Sequence, residues 1–244
     1  MIRDEPAAGH ADLTVILEAH RRYLETGRRE GERADLRGAD LSRMNLVAAD
    51  LRRARLAHAR LDDADLSGAR LQGANLAGAS LRGTRLCEAD LSAARLSGAQ
   101  LATADLGRAR MEKAEMEFAS LAQAILAGVH LADSDLSGAN LERADLGGAD
   151  LQRANLRGAD LRDARLDGAD LRAARLGGAI LSGASLCGCD LKGAYLRVAK
   201  LDGADLSGAD LRDAVGLTAV QIASVRRDDR TRLPPDVGAG ASDG

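Results

Sequence analysis

Tryptophan is absent from the 244 residues, and Tyr23, Phe118 and Tyr195 are the only other aromatic residues, 1% of the chain. That excludes an irregular globular core that takes its bulk from aromatic rings, although 45% of the residues are hydrophobic. The interior must come from Leu and Ala, which points to one small packing unit used repeatedly. No excess of either charge is present: 34 basic and 37 acidic residues leave a formal net of −3. A strongly basic footprint for nucleic acid is thereby excluded, and so is a strongly acidic surface. Long apolar runs are missing too, since none approaches the roughly 20 residues needed to span a bilayer. The opening MIRDEPAAGH lacks an apolar segment, so no secretory signal and a cytoplasmic location are expected.

What is present is a register. From Leu36 to Leu211 a Leu, or at positions 111 and 116 a Met, stands at every fifth position without insertion or deletion. Two residues before each lies a column of Ala, broken by Met44, Thr84, Val129, Ser134 and Cys189. Between the two sits a position rich in Asp, Asn and Arg. Two residues after each Leu comes one rich in Gly, for example Gly68, Gly73, Gly78 and Gly83.

A period of five suits neither regular element. On an α-helix the Leu column would drift by about 140° per unit. In a straight strand successive Leu residues would face opposite sides, because five is odd. The glycines also argue against a long helix, at about 1 kcal/mol each. Every Leu stays inside only if the chain turns between units. Gly then eases the corner, an Asp or Asn side chain bonds nearby backbone, and stacked turns pair about 4.8 Å apart.

The units A-D-L-R-G, A-D-L-S-G and A-N-L-A-G resemble the pentapeptide-repeat family over residues 34–214. The resemblance implies an all-β solenoid: a right-handed quadrilateral parallel β-helix with four units per coil, the Leu and Ala columns pointing inward. Nine coils would form a rod of roughly 43 Å at strand spacing. A right hand also agrees with the preference of parallel crossovers.

An open solenoid end exposes apolar core and unpaired backbone, so short helical caps are expected at both ends. Residues 1–33 form the first, with Leu13, Ile16, Leu17 and Leu24 at helical spacing, Asp12 at the N-cap and Gly27 past the end. Residues 215–235 form the second, opened by a capping box of Thr218 and Gln221. Residues 236–244 read as a disordered tail.

Little here suggests chemistry. His58 and His130 fall on different faces, and His20 belongs to the packing of the first helix. Cys87 and Cys187 share a face but lie five coils apart, about 24 Å, beyond the roughly 7 Å that a disulfide allows. Cys189 replaces an inward Ala and Cys187 points outward, so the pair does not chelate metal. No phosphate-binding loop, dinucleotide motif or nucleophile elbow occurs. The paired carboxylates arise from repetition. The expectation is therefore no enzyme, no cofactor, no metal, no membrane, no direct nucleic acid and no small-molecule substrate.

Two surface features remain. Folded four units to a coil, the position before Leu gives one column reading Asp50, Arg70, Asp90, Arg110, His130, Asp150, Asp170, Asp190, Asp210. Its second half, Asp150, Asp170, Asp190 and Asp210, is a candidate partner-binding strip, or merely the residue favoured at that position with Arg172, Lys192 and Arg212 alongside. The stretch 111–134, where the motif is weakest, is either a contact site or local repacking around Met111 and Met116. The expected function is a non-enzymatic scaffold meeting an unidentified protein. The alternative, implied by some members of the resembled family, is a DNA mimic that protects a type II topoisomerase, DNA gyrase, from quinolones or toxin. Near-neutral charge, Leu instead of Phe and the lack of an interrupting loop count against it.

Overall fold

A Leu at every fifth residue stays inside because the chain turns after each one. The computed structural model describes residues 10 to 238. From Gly38 to Asp213, every second residue after a Leu or Met of the column has a positive φ. The N–H three residues beyond each Leu closes the turn, as Ala154 N–H does on Leu151 C=O at 3.0 Å. Positive φ at the third residue alone marks a type II turn. Gly supplies about half of these corners; the others carry side chains in the left-handed region, Thr103 (φ 59°) and Val198 (φ 53°) among them. A β-branched residue there is strained; at Thr103 the circuits on either side hold it, Gly83 N–H donating to Ala102 C=O and Thr103 N–H to Ala122 C=O.

Parallel bridges join each residue before a Leu to the one 20 positions on, as Asp150 to Asp170 and Asp170 to Asp190. Four pentapeptides therefore complete one circuit. The expected strands are replaced by isolated bridges one residue wide, and no continuous strand occurs among the described residues. With two of every five residues in the turn and two facing inward, one is left to pair outward.

The backbone accounting closes for a unit such as Asp150 to Ala154. Asp150 N–H donates to Val129 C=O, Leu151 N–H to Asp170 C=O, Arg153 N–H to Arg172 C=O and Ala154 N–H to Leu151 C=O, all at 2.8–3.0 Å. The fifth, Gln152 N–H, donates to Oδ1 of Asp150 at 3.1 Å. This explains the preference for Asp and Asn before Leu: the side chain accepts the one N–H that the stack leaves over. At Ser80 and Ser185 the acceptor comes from the previous circuit. Asp62 takes the Arg82 N–H at 3.0 Å and Asp167 takes the Cys187 N–H at 3.2 Å.

Inside, the Leu column is buried along the whole stack, Met111 and Met116 included, and the Ala column from Ala54 onward, while Ala39, Met44 and Ala49 of the first circuit are partly buried. Burying each Leu contributes about 1.5–3 kcal/mol. Three polar intruders in the Ala column find backbone partners: Thr84 Oγ1 donates to Leu61 C=O, Ser134 Oγ to Leu131 C=O and the Cys189 thiol to Leu166 C=O. Burial pushes the Cys189 thiol up to about 12, so it stays protonated.

Helix α1 (His10–Glu25) lies against the first circuit. Leu13 is buried, Ile16 and Leu17 pack on the core, and His20, fully buried, accepts the Ala34 N–H on Nδ1 at 3.1 Å. The helix already includes Asp12, so Asp12 is not its N-cap as the sequence suggested; residues 1–9 lie outside the described residues. Gly27, at φ 64°, follows its end. Helix α2 (Ala219–Ala223) has the expected capping box of Thr218 and Gln221.

The far end departs from the sequence reading in two ways. The ladder runs past residue 214: Val215 bridges Tyr195, Arg226 bridges Asp205 and Arg232 bridges Asp210. Spacings of 21 and 22 replace 20 there because α2 and a following turn lengthen the circuit. Gln221 Nε2 donates to Ala199 C=O at 2.8 Å, Thr231 Oγ1 donates to Leu206 C=O at 3.0 Å, and Asp228 accepts the Gly208 N–H at 2.7 Å. Residues 235–238, partly assigned to the tail, form a short helix α3 (Pro235–Gly238) with Val237 buried. The remaining tail, 239–244, lies outside the described residues. No helix among the described residues is long and apolar enough to cross a membrane.

Candidate partner-binding face

The stack brings Asp150, Asp170, Asp190 and Asp210 into one column, each bridged to the next, with His130 below and Arg232 above. Asp150 accepts the Gln152 N–H and has no ion pair among the described residues, whereas the other three carboxylates are paired. Asp170 receives Nε and Nη2 of Arg172, the shorter contact 2.6 Å, and also accepts the Arg172 N–H. Lys192 Nζ lies 3.0 Å from Asp190 and 3.3 Å from Asp210, so it links two circuits. Arg212 reaches Asp210 at 2.7 Å and Arg232 reaches it at 3.7 Å. From Asp170 to Arg232 the strip is therefore a ladder of alternating charge.

Titration follows from these contacts. Hydrogen bonds from Arg212, outweighing burial, hold the Asp210 carboxyl well below the usual carboxylate range. At Asp170 burial is the largest influence and acts upward, but the bonds from Arg172 outweigh it and the net shift is downward. Asp35, held by Arg37, falls to about 2. Each of these groups binds fewer protons folded than unfolded, so its contribution is present above the unfolded pKa of about 3.9 and lost as pH falls toward the folded value. The thermal midpoint should thus be level from neutral pH to about pH 5 and decline steeply toward about pH 2. A midpoint unchanged down to that pH in a melting series would contradict the assignment.

The same pairing recurs on the other faces. Arg55 meets Asp35 at 3.3 Å, Arg85 meets Asp65 at 3.2 Å and Arg153 meets Asp133 at 2.7 Å, each pair one circuit apart. At such exposure a single pair contributes about 0–1 kcal/mol. Their larger effect is to offset the charge of the acidic residues locally, circuit by circuit.

Among the described residues, no three His, Cys, Asp or Glu side chains gather to hold a metal ion. The divergent stretch 111–134 has an ordinary interior, with Met111, Met116 and Val129 fully buried, and two exposed apolar residues, Phe118 and Ile125. Phe118 is 74% exposed and its ring lies over Gly138 in the next circuit, filling the place a Cβ would take. Ile125, Ile180 and Tyr195 stand in separate columns. The neighbour that Tyr195 does have, Val215, lay beyond the repeat register and so escaped the sequence reading.

A family model for pentapeptide repeats matches residues 32–68, 69–108, 114–153, 139–178 and 179–215, in eight copies. The chain belongs to the pentapeptide-repeat family. A solved family member from the cyanobacterium Nostoc sp. strain PCC 7120, HetL, involved in regulation of heterocyst differentiation, is 32% identical over 94% of each chain, with a TM-score of 0.47. Another from Nostoc, alr5209, is 36% identical over 45% of this chain and 84% of its own, with a TM-score of 0.35. QnrB1, a plasmid-mediated fluoroquinolone resistance protein, is 19% identical over 85% of this chain and 94% of its own, with a TM-score of 0.39. No curated protein sequence matches the chain. In this pentapeptide-repeat protein the solenoid is the whole of the repeat segment.

Proposed function

We propose that this pentapeptide-repeat protein is a non-catalytic binding rod that meets a protein partner in the cytoplasm through the column Asp150, Asp170, Asp190 and Asp210. The rod is taken as a right-handed, four-sided stack of about nine coils at a rise of about 4.8 Å each, closed by the helical ends. The observation that carries the reading is the charge ladder. Its carboxylates and the cations of Arg172, Lys192 and Arg212 repeat once per circuit and are fixed by bonds to backbone or to one another. A surface ordered in advance loses little side-chain entropy on binding, and alternating charge selects a partner by complementarity more than by raw attraction.

The DNA-mimic reading asks for uncompensated negative charge, because basic enzyme surfaces bind duplex phosphates through counterion release. Here cations stand beside the acidic residues, so gyrase is one outcome of the test. Affinity capture with the full chain should be compared with D150N/D170N/D190N/D210N, in which Asn keeps an acceptor for each backbone N–H and removes the charge. Capture of a defined partner by the parent and its loss in the variant supports the strip. Equal capture by both removes the strip from the account. In a supercoiling assay with purified gyrase at micromolar protein, no inhibition is expected, and inhibition abolished by the four substitutions would establish the mimic instead.

A further inference from the structure

Where the end of α1 meets the first two circuits, the surface changes character. A groove of about 440 Å³ is lined by Tyr23, Arg28, Arg52, Arg53 and Arg70 among others, and an adjoining one shares Tyr23, Arg28 and Arg53 and adds Arg33. Five arginines line the two grooves and no carboxylate does. Asp50, beside them, is occupied by Arg52 at 2.6 Å and Arg70 at 3.3 Å. Among the described residues no carboxylate comes within ion-pairing distance of Arg28, Arg33 or Arg53. Elsewhere on the rod arginines are repeatedly paired with carboxylates, so this concentration in a chain of net charge −3 is a local exception.

The groove is built and held. Residues 26–33 fold back on α1: Glu32 N–H donates to Ala19 C=O at 3.2 Å and Glu30 N–H to Thr26 Oγ1 at 3.0 Å. Gly31, at φ 75°, sits where a Cβ would strike the Ala19 carbonyl. Arg28 and Arg53 both adopt the left-handed region (φ 78° and 61°). The Arg33 Nε donates to the Arg53 carbonyl, and the Arg53 stem lies over Gly73. Tyr23 is half-buried with one face stacked on His20, ring centroids 6.0 Å apart.

Arginines gathered around one groove with more positive charge than Asp50 offsets repel one another unless an anion joins them. Planar forks of N–H donors match phosphate oxygens better than any other common anion of high charge density. We propose that this groove binds a polyphosphate group, either free or as the tail of a nucleotide, with Arg28, Arg33 and Arg53 supplying the uncompensated charge. Glycine adopts both left-handed positions without strain, so R28G/R53G removes two guanidiniums and leaves the fold intact.

Titration calorimetry of the full chain with tripolyphosphate at about 0.1 M salt should show saturable binding to one site, weakened at least tenfold in R28G/R53G. Circular dichroism of the variant serves as the control for folding. A parallel titration with ATP separates the two sources: tighter binding than tripolyphosphate assigns the Tyr23 side to the nucleoside, and equal binding assigns the phosphate chain alone. No saturable binding up to millimolar tripolyphosphate, or unchanged affinity in the variant, would overturn the proposal.

Discussion

Leu126→Ala is expected to destabilise the protein by about 2–5 kcal/mol, the range for large-to-small changes at closed core sites. Leu126 is fully buried, and the equivalent residues one circuit below and above, Leu106 and Leu146, are fully buried as well. The space left by the isobutyl group is bounded by side chains already locked in the same column, so it cannot be refilled by a small shift. Each circuit touches mainly its two neighbours, which makes the middle of the stack the place where one weak link divides the cooperative unit. Denaturant unfolding of L126A should accordingly show a lower midpoint and a broader transition than the parent. A midpoint shift worth less than about 1 kcal/mol would mean that the interior is looser than close packing requires.

Gly31→Ala is expected to release α1 from the rod. At φ 75° a side chain already costs about 1–2 kcal/mol, and its Cβ would lie 2.2 Å from the Ala19 carbonyl oxygen and 2.6 Å from the Tyr23 backbone nitrogen. Backbone atoms in a helix cannot swing aside, so the loop must leave. Gly38 provides the control, because it has a similar φ of 66° with nothing within 4 Å of the added Cβ. G38A should cost about 1 kcal/mol and leave α1 in place, whereas G31A should lose the exchange protection of the Glu32 amide and of α1. Equal stability and equal protection in the two variants would contradict the fixed loop, and with it the preformed arginine groove.

How much of this was legible in the sequence depends on the range of the interaction. The inward columns and the role of Asp before Leu follow from a five-residue register, because turn chemistry and burial are local; the circuit of four units came only with the family resemblance, since a period of five does not fix how many units close a circuit. The corner at Thr103 was not legible: nothing local favours a β-branched residue at positive φ, and it is the hydrogen-bonded circuits on either side that impose it. The pairing of Lys192 with both Asp190 and Asp210 could be found by folding the sequence into columns, and the neutralised strip was partly anticipated in that way. The arginine groove was hidden because Arg28 and Arg33 lie outside the register and meet Arg53 and Arg70 only once α1 is docked through His20. The extra circuit through Arg226 and Arg232 was missed for the same reason, since spacings of 21 and 22 leave no periodic trace.

The central claim is that residues 20 apart are neighbours throughout the rod. The most direct measurement is nuclear Overhauser spectroscopy on labelled protein, read at amides such as Leu131 and Leu151, whose N–H groups donate to Asp150 and Asp170. The account predicts cross-peaks between residues 19 to 20 positions apart along the repeat segment and none of the three- and four-residue pattern of a helix. Helical connectivities through the repeats, or inter-circuit contacts at a different constant spacing, would contradict it.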